Sequence, residues 1–536
     1  MNEAIFNPVE EFESKYKNLH QQNVNQYFGR LVQQSGVNIE QNRETVRLHD
    51  EYKASISKLT TKRNWWRFLR VLMCLTIILI PLVIIKVTPI IQKLLADIQE
   101  GDKKVAELFA EAQRQMLPLN QLFTDRDSLN LLETTLPLLS FTDCFTAEQE
   151  ADMTINYNYT GNGDLEQSTI EVLAGRYNEN PFLFENRLIH RMGTETYHGY
   201  LTIHWTETYR DSNGHLQTRH KSETLHATVV KPKPFYSTQA ILNYCAQGGP
   251  ELSFSREATY LHQKSDKEIE RYVKHGEKKL KKMTDKAIKG GGDFMSMSNT
   301  QFEVLFNALD RDHEVQFRSL FTPLAQTNLV SMIRSKVGFG DDFTFIKNCR
   351  SNKIITHHSQ GRVLRLRVGH YVSHSFDVIQ SNFINKNMDF FKAVYFDFAP
   401  LWAIPMYQDR PVHSLQPIPP MAQQFSVQEC ESLVNVLDAS YVVHPDTKTQ
   451  AILKAYHSGT RALGDEITVM SYSYDVIRRV DLVPMRGGDG NIHAVPVEWD
   501  EYIPLQATSN FVVSKRESTP EQSIIASRNG LCVTNY

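Results

Sequence analysis

The sequence predicts an α+β protein with N-terminal helices, one membrane-spanning helix and a large domain of mainly antiparallel sheets and helices. Three observations support this prediction. Val71–Ile85 is a run of fifteen residues without a charge. Tyr200–Val230 alternates apolar and polar residues around a turn, which is typical of a β-hairpin. Farther along, strand patterns are seldom separated by the helices of about ten to fifteen residues that a parallel sheet requires.

The uncharged run is the predicted transmembrane anchor. As a helix it rises only ~22 Å, whereas the hydrocarbon core of a bilayer is ~30 Å thick. An extension to Ile91 reaches ~32 Å and includes Lys86, whose long stem can bring its charge to the interface. Alternatively, the span begins earlier, and its interface residues are then Trp65, Trp66, Arg67 and Arg70.

A third interpretation is a re-entrant wedge that enters the bilayer and returns to the same side. Pro81 and Pro89 each remove a backbone donor and can kink the helix, and the segment is too short for two full spans. A single span would place the large domain outside the membrane, whereas a wedge would leave it in the cytoplasm.

The distribution of basic residues predicts a cytoplasmic N-terminus. Six basic residues lie between Lys53 and Arg70, and four lie between Lys86 and Lys104. The location predicted from this is the cell membrane, crossed once. The six cysteines form no CxxC pair and suit a reducing compartment, which conflicts with an external domain. The side on which the large domain lies stays open.

Composition indicates folded cores and no nucleic-acid partner. The chain has 536 residues, of which 41% are hydrophobic, and its net charge is −3. The predicted segments are a charged helical arm (1–65), the anchor (66–92), a juxtamembrane helix (93–116), a β-rich subdomain (117–254), a basic helix with a glycine hinge (255–292), an α+β subdomain (293–513) and a loose tail (514–536).

Several local predictions can be compared directly with a structure. The return strand of the hairpin should end at Lys231–Pro234, because proline cannot donate to a ladder. A basic helix is predicted over Ser255–Lys289. Strands are predicted over 343–347, 362–368, 393–398 and, at a sheet edge, 401–407. A short helix is predicted over 428–437, and strands over 467–474, 479–485 and 492–498, the last two joined by the turn 486–491.

The stretch Phe302–Asn348, together with the hairpin and the anchor, resembles an uncharacterised bacterial family of single-anchor membrane proteins. That family has no assigned activity. The resemblance therefore implies a bacterial membrane protein and supplies no catalytic residues.

Two groups of side chains are candidate metal ligands. Histidines surround the segment Thr356–Asp377, and two aspartates follow a glycine turn; both groups offer ligands suited to a divalent cation. The six candidates are His357, His358, His370, His374, Asp341 and Asp342. The alternative interpretation is hydrogen-bonded loop histidines and a helix cap, since no HExxH register is present.

The basic helix is a candidate for binding an anionic membrane surface. Nine lysines and one arginine lie between Lys264 and Lys289, against five acidic residues. Its central residues are Lys274, Lys278, Lys279, Lys281 and Lys282. The alternative interpretation is an ordinary solvated helix with Lys/Glu pairs.

These observations favour a membrane-anchored scaffold or protein-interaction protein without a catalytic site or cofactor. Its expected partners are the lipid bilayer and either a second copy of the chain or another protein. The alternative function is a metal-dependent hydrolase that uses the His/Asp cluster at 341–377.

Overall fold

The computed structural model describes residues 5, 7–74, 81, 83–161, 163–210, 212, 214–290, 296–411, 416–516, 524–528 and 530–535. The centre of the predicted anchor (75–80 and 82), residues 291 and 292 of the glycine hinge, and residues 517–523, 529 and 536 of the predicted tail lie outside these residues. The chain divides into two compact units. The sheet unit contains Met1–Val9, Leu138–Leu364 and Phe396–Tyr536. The hairpin unit, named for a pair of antiparallel helices described below, contains Glu10–Pro137 and Arg365–Tyr395.

Helices occur in both units. The α-helices are α1 (Pro8–Glu11), α2 (Lys17–Ser35), α3 (Ile39–Cys74), α4 (Thr88–Asn120), α5 (Asp127–Thr135), α6 (Ala147–Tyr157), α7 (Asp266–Gly290), α8 (Thr300–Phe306), α9 (Glu314–Leu320), α10 (Pro323–Arg334), α11 (Phe376–Trp402) and α12 (Val427–Val434). Phe12–Tyr16 and Val83–Val87 are π-helical turns.

The strands all belong to the sheet unit. They are β1 (Leu139–Phe141), β2 (Gln167–Tyr177), β3 (Asn180–Arg210), β4 (Leu216–Cys245), β5 (Ser253–Arg256), β6 (Phe343–Asn348), β7 (Ser351–Thr356), β8 (Ile452–Arg461), β9 (Gly464–Arg486), β10 (Ile492–Lys515), β11 (Ile524–Arg528) and β12 (Leu531–Asn535).

Two antiparallel sheets organise the sheet unit, so the predicted α+β class with antiparallel sheets is confirmed. One sheet has the order β1-β2-β3-β4-β7-β6-β5 and the other β11-β12-β10-β9-β8. All described strand pairs are antiparallel. Helix α12 packs in a core with side chains of β8, β9, β10 and β12, and it begins with a Ser426 cap on the amide of Glu429.

Two long β-ribbons, β3–β4 and β9–β10, pack against each other. Ile203 and Leu225 of the first ribbon meet Val495 and Val497 of the second. Gly199 is buried in this contact, because a Cβ there would lie 2.1 Å from the backbone oxygen of Pro496. The glycine therefore permits a close approach that any side chain would prevent.

The hairpin unit has an aromatic core between α2 and α11. The ring of His20 stacks on Phe391 at 4.0 Å, and its Nδ1 lies 2.8 Å from Thr135 Oγ1. Burial lowers the pKa of His20 to about 3, so this imidazole is neutral in the folded chain. Phe28 and Phe123 pack on Phe383 of α11.

Helices α3 and α4 form an antiparallel pair along their whole described length. Asn42 Nδ2 donates to Gln115 Oε1 near one end, His49 packs on Phe109, and Gly101 lies against Ile56. Farther along, Trp66 and Met73 pack on a cluster of Val83, Val87 and Ile91. As the residue number rises on α3, that of its partner on α4 falls, which defines a helical hairpin.

Several local predictions are wrong. The basic helix begins at Asp266 rather than Ser255, because Ser253–Arg256 pairs with β6. Residues 393–398 lie inside α11, and 401–407 form its end and a 3₁₀ turn, so neither is a strand. Residues 362–368 are not a strand; a 3₁₀ turn begins at Val368. The apolar residues of 393–398 are buried on a helix, and a short apolar run does not distinguish a buried helix from a buried strand.

The prolines near 231–234 do not end the return strand, which continues to Cys245. At Pro232 and Pro234 the described partner of β4 is β3 alone, since β7 pairs only with Ile241–Cys245. The missing donors can face the unpaired side without loss of a ladder bond. The turn between β9 and β10 and the helix near 428–437 are confirmed, and strands β11 and β12 lie within the segment predicted as a tail.

We expect Gly199→Ala to lower the free energy of unfolding by about 1–3 kcal/mol, because the added methyl group forces the two ribbons apart. Urea denaturation measures this change. Gly163→Ala is the matched control, since no atom lies within 4 Å of its added Cβ. An equal effect of the two substitutions would contradict the close packing at Gly199.

Candidate functional sites

The far half of the α3–α4 hairpin exposes large apolar side chains. On α3, Trp65 is 56% exposed, Phe68 67%, and Val71 and Leu72 are also exposed. On the opposing arm Ile85 is 70% exposed. In a water-soluble helical hairpin the outer faces are polar. Water is therefore an unfavourable solvent for this end, which we call the apolar tip (the described residues of 65–91).

The near half of the same hairpin has an ordinary polar surface. Arg47 of α3 forms ion pairs with Glu44 and Glu51, and Glu111 of α4 pairs with Arg114 at 3.2 Å. Helical pairs of this kind are typical of solvated faces. The near half also exposes Leu117 (50%) and part of Phe109, but most of the exposed large apolar side chains of the hairpin lie at its far end.

Charge around the apolar tip has a single sign. Residues 52–96 contain eight basic residues and no acidic residue. The basic residues are Lys53, Lys58, Lys62, Arg63, Arg67, Arg70, Lys86 and Lys93. Apolar side chains bordered by lysine and arginine are typical of segments that contact anionic lipid.

The five predicted interface residues all lie on the hairpin. Trp65 packs edge-on against Trp66, with ring centroids 5.1 Å apart. Trp66 also contacts the valine and isoleucine cluster of the opposing arm. Arg67 and Lys86 are exposed, and Arg70 is partly buried.

Within the described residues, no helix combines the length and apolar character needed to cross a bilayer. The residues that connect α3 to the π-helical turn, 75–80 and 82, lie outside that description.

The five predicted surface-binding lysines are brought together on α7. Lys274, Lys278, Lys279, Lys281 and Lys282 are all exposed. The opposite face of α7 is buried through Ile269 and Leu280. Gly276 allows close packing on Val304 of α8, because a Cβ there would lie 2.4 Å from a methyl carbon of that valine. The helix is thus amphipathic with a lysine-rich outer face.

The six predicted metal ligands do not form one group. Asp341, Asp342, His357 and His358 belong to the sheet unit, whereas His370 and His374 belong to the hairpin unit. His370 Nδ1 accepts from the amide of Arg367 in its own turn. In the described part of the chain, no group of three or more His, Cys, Asp or Glu residues could hold a metal ion.

The remaining candidates have other partners. Asp341 pairs with the buried guanidinium of Arg256 and accepts from Thr259. The ring of His357 packs beside Tyr260, with centroids 5.3 Å apart. The ring of His374 lies 4.7 Å from that of Phe109. Burial lowers the pKa of His374, and nearby His49 lowers it further.

His358 is the centre of a buried charge cluster. Its Nδ1 lies 2.7 Å from Asp342 Oδ2, and its Nε2 lies 3.3 Å from Asp397 Oδ1. Arg362 pairs with the other oxygen of Asp397. Phe339 stacks on the imidazole at 3.7 Å, with the ring planes 2° apart.

Both carboxylates keep His358 charged. Burial lowers the pKa of His358, but the hydrogen bonds to Asp342 and Asp397 raise it more, to about 9. Burial raises the pKa of Asp397, but Arg362 and His358 lower it, to about 2. Both ring nitrogens therefore donate, and neither has a lone pair for a metal or for accepting a proton.

Sequence patterns did not identify Asp397 and Arg362 as members of this cluster. Asp397 lies in α11, in a segment with the apolar character of a strand, and it is 39 positions from His358 in the sequence. Thr356 and Ser359 also donate to Asp397, at 2.6 and 2.7 Å. Only the fold brings these groups together, and their buried ion pairs are those of a structural ion cluster.

No protein-family model, no curated protein and no solved structure matches this chain. Its function is therefore inferred from its own residues, and the resemblance to a bacterial single-anchor family stays a prediction.

The pH dependence of stability tests the His358 cluster. A folded pKa of about 9, above the ordinary 6.5, means that the stabilisation by His358 is complete below pH 6.5 and is lost as the pH rises toward 9. The lowered pKa of Asp397 means that its contribution is lost only as the pH falls from 3.8 toward 2. Because other groups also titrate, the informative quantity is the difference between variants.

We expect His358→Gln to lower the free energy of unfolding by roughly 3 kcal/mol at pH 6, and by clearly less at pH 9. Urea denaturation at each pH gives this difference. His370→Gln, which removes a histidine outside the cluster, should show no such trend. A penalty for His358→Gln that does not change between pH 6 and pH 9 would contradict the charged cluster.

Proposed function

We propose that this chain is a membrane-anchored scaffold or protein-interaction protein, and that its α3–α4 hairpin enters the bilayer as a re-entrant wedge. One observation carries the proposal. Both arms of the hairpin present large apolar side chains outward at the same end, in a region that has basic residues and no acidic residue. A lipid leaflet with anionic headgroups is the environment that satisfies both properties.

The dimensions of the apolar tip suit one leaflet. The described segments Trp65–Cys74 and Val83–Ile91 rise ~14 and ~12 Å as helices, close to half of a ~30 Å hydrocarbon core. Moving an exposed aliphatic or aromatic side chain fully into an apolar phase gains roughly 2 kcal/mol. Several such side chains together give a favourable insertion free energy without a full span.

Packing between the arms supports a wedge rather than a single span. A single pass would place the near halves of α3 and α4 on opposite faces of the membrane. Those halves contact each other through Asn42 and Gln115 and through Ile56 and Gly101. A hairpin that enters and leaves by the same face keeps these contacts.

A wedge also removes the conflict over compartments. With both ends of the hairpin on one face, the sheet unit lies on the same side of the membrane as the N-terminus, for which the basic residues predict the cytoplasm. Five cysteines of the described chain are free thiols: Cys144, Cys245, Cys349, Cys430 and Cys532. Free thiols suit that reducing compartment.

The lysine face of α7 is a second contact with anionic lipid in this proposal. Its charge is exposed and its apolar face is already buried against the sheet unit. Attraction to the leaflet is therefore electrostatic, and we expect salt to weaken it.

A scaffold role is favoured over the alternative metal-dependent hydrolase. The carboxylates nearest to the predicted histidines, Asp341 and Asp342, are engaged by Arg256, Thr259 and His358. His358 itself has both ring nitrogens directed at carboxylates. No observation favours the hydrolase, and the proposed partners beyond lipid are proteins that bind the sheet unit.

We expect the full chain to float with vesicles of phosphatidylcholine and phosphatidylglycerol in a density gradient. Replacing Phe68, Leu72 and Ile85 by serine should reduce the bound fraction at least tenfold, because it removes the apolar contact with the acyl chains. The control variant replaces Val315, Leu216 and Ile492, which are 82%, 66% and 75% exposed elsewhere, and should bind as the unsubstituted chain does.

The same assay tests the lysines of α7. Replacing Lys274, Lys278, Lys279, Lys281 and Lys282 by glutamine should weaken binding to anionic vesicles at low salt and leave binding to neutral vesicles unchanged.

Equal flotation of the serine variant and its control would refute the wedge. Unchanged binding of the glutamine variant at low salt would refute the role of α7 alone.

A further inference from the structure

The outer face of the β3–β4 ribbon consists of uncharged polar side chains and histidines. Residues alternate between two faces along a strand. One face packs on the β9–β10 ribbon, and the other is exposed from 194 to 208 and from 218 to 228. The exposed positions are Thr194, Thr196, His198, Tyr200, Thr202, His204, Thr206, Thr208, Thr218, His220, Ser222, Thr224, His226 and Thr228.

Within 194–208 and 218–228, the charged residues of this ribbon lie on the other face. Glu207 pairs with Lys221 at 2.6 Å, Lys231 with Asp481 at 2.6 Å, and Glu223 accepts from the amide of Gly488 at 2.6 Å. The described outer-face positions of 194–208 and 218–228 therefore include no lysine or arginine that would repel a cation, and Arg210 follows only near the turn.

Two of the histidines on the exposed face are in direct contact. His198 Nδ1 lies 2.9 Å from His226 Nε2, and the rings are nearly parallel, 8° apart. Tyr200 stacks on His226, with ring centroids 4.7 Å apart and ring planes 18° apart. The tyrosine thus restricts the orientation of the imidazole and pre-organises the pair.

A second pair of histidines, His204 and His220, has the same strand register six residues along the ribbon. His226 is opposite Tyr200, two positions beyond His198 on β3. His220 is opposite Thr206, two positions beyond His204. In both pairs the two histidines are therefore diagonal neighbours on the same face. Aromatic side chains can bridge the distance between such neighbours. Thr202 and Thr224 form the rung between them, with oxygens 2.9 Å apart.

We infer that each histidine pair is a binding site for a divalent late transition-metal ion, with Cu²⁺ as the best fit. Imidazole nitrogen binds such ions at ~2.0–2.1 Å, and Cu²⁺ forms the tightest complexes of the series. Two ligands at right angles at that length are about 2.9 Å apart, whereas tetrahedral ligands are about 3.3 Å apart. The 2.9 Å between the facing nitrogens of His198 and His226 is a hydrogen-bond distance that equals this right-angle separation, so an ion replaces the shared proton once the rings turn to direct both lone pairs at it.

Binding requires a lone pair on both facing nitrogens. In the hydrogen-bonded pair one of these nitrogens carries the proton, and its ring has a second nitrogen that can carry it instead. Because both rings are exposed, solvent can exchange that proton between the two nitrogens. Each ion then has two protein ligands, and water or a group of a partner molecule occupies its remaining positions.

Copper titration of the full chain tests this inference. With glycine present as a weak competitor for non-specific copper, we expect two Cu²⁺ ions per chain by calorimetry and an electron paramagnetic resonance spectrum with nitrogen hyperfine structure. The two ions should lie ~20 Å apart by pulsed resonance, since six residues of a strand span that distance.

Single substitutions separate the two sites. His226→Gln should remove one of the two ions, and the double variant His220→Gln, His226→Gln should remove both, with unchanged circular dichroism. His215→Gln is the control on the same ribbon, outside both pairs, and should bind as the unsubstituted chain does. Loss of one ion with His226→Gln and none with His220→Gln would overturn the second site alone. Undiminished copper in the double variant, or a spectrum without nitrogen coordination, would overturn the inference.

Discussion

The side-by-side packing of α3 and α4 is the constraint on which this account depends. Contacts from Asn42–Gln115 to Met73–Val83 make the two helices one antiparallel hairpin. Its inner face is filled by its own side chains, so the apolar residues on its outer face have no protein partner to bury them in the described contacts. The wedge proposed above gives these side chains a lipid leaflet as their partner.

The sheet unit buries charged side chains, whereas the far end of the helical hairpin exposes apolar ones. Several ion pairs are buried, among them Arg256–Asp341, Lys454–Glu431 and the His358 cluster. Such pairs cost desolvation, and their loss leaves an uncompensated charge, so they specify one packing more than they add stability. In the His358 cluster the shifted pKa values belong to buried groups, those of His358 and Asp397. The lysines of α7 and the outer-face histidines of the β3–β4 ribbon are exposed by contrast.

Local periodicity and turn residues predicted several individual strands and turns correctly. Features that depend on contacts between residues far apart in the chain were missed. Alternation around Trp205 identified a β-ribbon, and the glycines at 487–490 identified the second turn. Residues 393–398 were mistaken for a strand, because a wholly buried helix has no polar face to reveal its period. Asp397 and Arg362 reach His358 only through tertiary packing. The re-entrant alternative was visible in Pro81 and Pro89, but its support comes from contacts between arms that no local pattern contains.

Cysteine accessibility on the two arms tests the wedge most directly. Lys53→Cys and Lys104→Cys place one thiol on each arm, near the contact of Ile56 with Gly101. Intact cells that express either variant are treated with a membrane-impermeant maleimide, and labelling above that of the unsubstituted chain is measured before and after lysis. The account predicts that both positions are protected in intact cells and react after lysis. Labelling of one position in intact cells and of the other only after lysis would show a single span and contradict it.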